Sequence, residues 1–159
     1  MAQVISATAQ FKGSRAAAGA FKRDRFLTQA GDLLSQARAM AAAERWDQAL
    51  EFAYQTGLRT AGARIADSAV SKRRRLPSSA WEQLAMVGAS EKDWAERFRG
   101  YSRLRSRVAS GLDDAPDEEV VVRLMALAAE FLAEVEEGIV FGSLAAWPRG
   151  VGVSYLLRV

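Results

Sequence analysis

A chain of 159 residues and 17.3 kDa, half of it apolar, carries enough material for one packed core and is too apolar for wholesale disorder. Its 22 Lys and Arg against 19 Asp and Glu leave a net charge of +3, and the absence of cysteine excludes disulfides, thiolate chemistry and Cys-ligated zinc. The absence of histidine excludes more: the usual general base near neutral pH, the usual transition-metal ligand, and every Ser-His or Cys-His relay.

Charges recur every few positions from Lys12 to Glu137, so no run approaches the roughly 20 apolar residues of a membrane span. The start of the chain has no basic n-region and meets Lys12 and Arg15 too early for a secretory h-region; the expected location is the cytoplasm, with no membrane partner. Residues 1–20, rich in Ala, Ser and Gly, are expected to form a flexible leader. From Phe26 the apolar residues fall at Leu27, Ala30, Leu33, Leu34, Ala37, Met40 and Ala41, which predicts an amphipathic helix over about 22–42. A second periodic run from Trp46 through Ala49, Leu50, Ala53, Gly57, Ala61 and Ile65 predicts a helix reaching about Val70, paired with the first as an antiparallel hairpin. Gly57 lies on its inner stripe, where a missing side chain lets two backbones approach. Lys72, Arg73, Arg74 and Arg75 are expected to end that helix against the negative end of its dipole, with Pro77 blocking its continuation.

Ser79 and Glu82 have capping-box spacing ahead of Trp81, Leu84 and Ala85, a short third helix. Ser90 and Asp93 repeat the signal and open a fourth over about 91–110, with Trp94, Phe98, Tyr101, Leu104 and Val108 inward and Gly111 as its stop. Asp113, Asp114 and Pro116 mark the start of a fifth, with Val121, Leu124, Leu127, Ala128, Phe131, Leu132 and Val135 inward and Gly138 as its C-cap. The expectation is an all-α, up-and-down bundle of about five helices over residues 21–138. A non-helical tail over 139–159, carrying Trp147 and Tyr155, is expected to dock on the bundle or on a neighbour.

The small net charge hides a segregation. Residues 59–110 carry 12 Lys and Arg against 5 Asp and Glu, whereas 111–138 carry one Arg against 9 acids. A basic middle points to nucleic acid or another polyanion; alternatively the basic and acidic helices neutralise each other within the fold or across a dimer. Helical periodicity places Arg99, Arg103 and Arg107 on the solvent side of the fourth helix and Arg97 and Arg105 on its apolar side, while Arg64 continues the inner line of the second. A guanidinium there must meet a carboxylate, snorkel out, or line a cleft. One reading pairs these arginines with the acids of the fifth helix. The other makes Arg64, Arg97 and Arg105, with Tyr101, a groove that contacts phosphate. Lys72–Arg75 with Arg99, Arg103 and Arg107 form the candidate basic patch. No phosphate loop, dinucleotide fingerprint or acidic metal constellation stands in the sequence, so no cofactor, metal or catalytic residue is expected.

The stretch RFLTQAGDLLSQARAMAAAERWDQALEFAYQTGLRTAGARIA resembles the leading hairpin of the HEPN superfamily (higher eukaryotes and prokaryotes nucleotide-binding). GYSRLRSRVASGL followed by LMALAAEFLAEVEEGI resembles its closing helices, and the chain over about 22–138 is most similar to the short Ala- and Arg-rich members of an actinobacterial HEPN-like family. The resemblance implies a helical bundle, a homodimer joined along its long helices, and an inter-subunit groove where active HEPN ribonucleases place an Arg and, four to six residues beyond it, a His. Arg99, Arg103 or Arg105 could stand for that Arg, but no His follows any of them. The expectation is therefore a non-catalytic binding domain for RNA, a nucleotide, or a protein partner such as a nucleotidyltransferase. Its alternatives are an enzyme working through an Arg/Asp/Glu/Tyr cleft and a purely structural dimeric scaffold.

Overall fold

The computed structural model describes residues 7–145, with side chains over 15–138. The described residues form five α-helices and one 3-10 turn: α1 (Ala7–Ala42), α2 (Trp46–Ala66), the 3-10 turn (Ala69–Lys72), α3 (Ala80–Ala85), α4 (Ala89–Ala109) and α5 (Glu118–Ala145). The all-α bundle is as the periodicity requires, and no helix among the described residues is long and apolar enough to cross a membrane.

Several boundaries differ, each for a local reason. α1 begins at Ala7 and not near residue 22, because the Ala-rich stretch is built of the best helix formers and absorbs the cost of Gly13 and Gly19. It ends at a connection of residues 43–45 in which Glu44 takes the left-handed conformation, φ 57°. There the Arg45 amide donates to the Met40 carbonyl at 2.9 Å and the Glu44 amide to that of Ala41 at 3.0 Å, a Schellman closure built without glycine. α2 stops at Ala66, short of the expected Val70. Ser68 turns extended, its hydroxyl donating to the Ile65 carbonyl at 2.7 Å and accepting from the Val70 amide at 3.3 Å, a local bonding pattern that competes with the helix. Arg64, not the Lys72–Arg75 run, is therefore the base in the last turn of α2.

Ser79 is the N-cap residue of α3 but makes no side-chain capping bond, and Gly88, not Ser90, precedes α4. α4 closes as expected at Gly111, φ 67°, where the Leu112 amide reaches the Arg107 carbonyl at 2.9 Å. Asp117 caps α5 by accepting from the Glu119 amide at 2.9 Å. Gly138 does not end that helix, which runs on to Ala145. Residues 1–6 and 146–159, with Trp147 and Tyr155, lie outside the described residues.

The core lies where α2 is enclosed by α1, α5 and the α3–α4 pair. Its centre is aromatic: Trp81 stacks on Phe98 at 4.8 Å and 7°, Phe98 tilts against Phe131 at 5.8 Å, and Phe131 stacks on Trp94 at 4.8 Å. The Trp81 indole N–H donates to the Tyr54 hydroxyl at 2.7 Å, and that hydroxyl bonds Ser102 at 2.7 Å, so six residues of α3 are tied to α2 and α4 through one side chain. Trp81 and Trp94 are buried as expected, whereas Trp46 is only partly so. Gly57 has the role its position on the stripe implies: a Cβ there would stand 2.3 Å from the Phe98 ring. That contact brings α2 and α4 together and so sets which of their charged side chains meet.

Candidate functional site

The close approach of α2 to α4 decides the fate of the inward arginines. Arg105 on α4 meets Glu51 on α2 in a bidentate pair, Nε to Oε2 and Nη2 to Oε1 both at 2.7 Å, with its guanidinium 4.6 Å from the Tyr54 ring centre. The hydrogen bonds from Arg105 hold the Glu51 carboxyl below its ordinary value, and Glu51 in turn raises Arg105. Arg64 on α2 meets Glu91 on α4, Nη2 to Oε1 at 2.7 Å. Both partners lie on the two helices that carry the arginines, not on α5 as one reading of the sequence expected. α5 also packs on α2, and its Glu134 lines the cavity that Arg64 and Glu91 share, but the carboxylates that bond the two arginines are Glu51 and Glu91.

The four residues expected to share a groove do not share one within the chain. Arg64 lines a cavity of about 270 Å³ with Arg23, Asp67, Glu91 and Glu134. Arg97 is exposed on the other side of Trp94, 4.9 Å above its ring, in a shallower depression of about 460 Å³. Arg105 is turned toward Glu51, and Tyr101 is half-buried against the aromatic core. Glu134 links the first two depressions by accepting from the Trp94 indole N–H at 3.1 Å and the Ser90 hydroxyl at 3.3 Å.

The basic patch is placed differently. Lys72 closes the 3-10 turn and Arg73, Arg74 and Arg75 follow it in exposed coil; Arg99 and Arg103 stand on the outer face of α4. Among the described residues none of these six makes an ion pair. Arg107 alone of the patch does, bidentate to Asp113 at 2.9 and 2.7 Å; the hydrogen bonds lower Asp113 and raise Arg107. Apart from that pair, the ion pair that the acids of 111–138 make among the described residues is Arg123 with Glu119, within α5 itself.

A second cationic group escaped the sequence reading. Lys22 and Arg25 on α1 and Arg59 on α2 lie 5.8, 6.0 and 5.8 Å from the centre of the Phe26 ring. Gly62 makes this possible, since a Cβ there would stand 3.1 Å from Phe26. Beside them a groove of about 560 Å³ runs between α1, α2 and the segment leading into α3. The i, i+4 spacing of Lys22 and Phe26 was legible, but the arrival of Arg59 from the far arm of the hairpin was not. Among the described residues no three acidic side chains gather to hold a metal ion.

These helices, in this order, agree with a comparison against known families. The family described as HEPN_SAV_6107, -like HEPN, matches residues 37–136, more than half of the chain. The chain belongs to the HEPN superfamily. No curated protein and no solved structure matches it. The matched span of this HEPN domain takes in α2, α3, α4, the end of α1 and most of α5, so Arg64, Arg97, Arg105 and the whole basic patch fall inside it. Lys22, Arg25 and Phe26 lie ahead of it. The HEPN domain has no histidine at any position, and Arg105 and Arg107 hold the Glu51 and Asp113 carboxyls below their ordinary values, opposite to what a general acid needs.

Proposed function

We propose that this HEPN domain is a non-catalytic binding module that recognises single-stranded RNA through its exposed basic surface. The observation that carries the reading is the run Lys72–Arg75, four cations on an exposed segment with no carboxylate partner among the described residues, with Arg99 and Arg103 exposed and equally unpaired on α4. Solvated guanidinia that no acid neutralises are free to displace the counterions of a phosphate backbone. Inward arginines are placed differently: Arg64 bonds Glu91 and Arg105 bonds Glu51.

The test is titration of labelled single-stranded RNA at several salt concentrations. If the four cations of Lys72–Arg75 each contact a phosphate, log K falls with log salt at a slope of about −3, and R73E/R74E/R75E abolishes binding. A flat salt response, or no binding at low salt, removes the RNA reading and leaves a nucleotide or a protein partner such as a nucleotidyltransferase. Clean protein leaves the RNA intact; cleavage lost in R99A/R105A overturns the non-catalytic part. We further expect a homodimer, for which exposed Leu112 and Val122 supply apolar surface; solution mass decides it.

A further inference from the structure

The groove between α1, α2 and the start of α3 is built unlike the rest of the surface. Its charged lining is Lys22, Arg59 and Arg105, with no Asp or Glu, and its walls include Leu58 and Leu76. Arg105 is pinned by Glu51 through Nε and Nη2, which leaves its Nη1 hydrogens uncommitted. Lys22 and Arg59, with Arg25, crowd one aromatic ring, and among the described residues none of the three has an ion pair. Three like charges around a single ring repel one another, and cation–π attraction at about 6 Å is weak at an exposed site. A protein optimised for stability alone would place a carboxylate there. An anion entering the groove supplies the missing charge.

We propose that this groove is a binding site for an organic phosphate, its oxyanion held between Lys22, Arg59 and Arg105 and its apolar body lying against Leu58 and Leu76. A phosphomonoester carries about −1.5 to −2 charge near pH 7 and matches several cations better than a singly charged carboxylate does. A volume of about 560 Å³ lies in the range of small-ligand sites. Lys22 and Phe26 on α1 stand ahead of the family match, while the rest of the lining, Arg59 and Arg105 included, lies within it. The ligand is either a free small phosphomonoester or the phosphorylated 5′ end of a strand. The assignment does not depend on the RNA reading, because the basic run Lys72–Arg75 is left intact in the variants that test it.

Calorimetric titration of the full chain uses phenyl phosphate, inorganic phosphate and phenol as probes. Phenyl phosphate is expected to bind at least tenfold more tightly than inorganic phosphate, with phenol showing no binding. K22Q/R59Q lowers phenyl phosphate affinity at least tenfold. A80F, which fills the groove from the first residue of α3 without altering charge, does the same while far-UV circular dichroism reports an intact fold. Equal affinity for phenyl and inorganic phosphate, no binding of either, or an affinity unmoved by both variants overturns the proposal. A tenfold preference for a 5′-phosphorylated over a 5′-hydroxyl oligonucleotide, abolished by A80F, assigns the site to strand ends; phenyl phosphate binding without that preference assigns it to a free phosphomonoester. R73E/R74E/R75E is expected to lose RNA and keep phenyl phosphate, which separates failure of one reading from failure of the other.

Discussion

Replacing Gly57 with alanine is expected to destabilise the domain even though alanine is the better helix former. A Cβ at this position would lie 2.3 Å from Phe98 Cε1, 2.7 Å from Cζ and 2.8 Å from Cδ1. Carbon atoms approach favourably at about 3.5–4.0 Å, so the contact is short by about 1.2 Å. The ring cannot step aside: Phe98 is fully buried, stacked on Trp81 on one side and tilted against Phe131 on another. Relief must come from α2 and α4 moving apart, which stretches the Arg105–Glu51 and Arg64–Glu91 bridges across the same seam. Overpacking of this kind costs about 1–3 kcal/mol, and the roughly 1 kcal/mol that alanine returns in helix propensity does not cover the upper part of that range. The net loss of up to about 2 kcal/mol corresponds, for a chain of this length, to a fall in Tm of up to roughly 8 °C by circular dichroism. Gly31→Ala is the control: nothing lies within 4 Å of a Cβ there, so the same substitution should raise stability by up to about 1 kcal/mol. If G57A melts at or above the wild-type temperature, the close-approach argument is wrong.

Glu44→Gly should stabilise the α1–α2 connection by about 1 kcal/mol, since Glu44 holds φ 57° without a glycine's freedom; an unchanged urea midpoint would count against it. Arg105→Met, Glu51→Gln and the double variant should show a coupling of about 0.5–1 kcal/mol, modest because the two side chains are 34% and 35% exposed. The same pair contributes to acid sensitivity. Glu51 titrates below its ordinary 4.5 in the folded chain, so its contribution is complete above that value and is lost as pH falls through the lowered one. Urea midpoints of Arg105→Met should therefore decline less steeply than wild type below about pH 4.5, and parallel acid limbs would refute the link.

The sequence by itself determined the class of fold. Apolar spacing of three and four places the inner faces of α2, α4 and α5 without help, because helix geometry converts spacing into a stripe whatever the neighbours are. Gly111 ends α4 through its own backbone freedom, and an absent imidazole is absent at every level of structure. Boundaries set by competition were not legible in the same way. Ser68 ends α2 by bonding its neighbours' backbone, and Glu44 takes a conformation that composition would assign to glycine.

Tertiary structure alone decided which charges meet. Arg105 and Arg64 were recognised as inward-facing, but periodicity on one helix cannot name a partner on another; that depends on the height at which α4 crosses α2, which the Gly57–Phe98 contact sets. The same holds for Lys22, Arg59 and Phe26, brought to one ring by the hairpin and the open space at Gly62. Charge acts through space and at short range, so a linear count of Lys and Arg reports how much charge a segment holds, while packing determines which of it is neutralised and which is not.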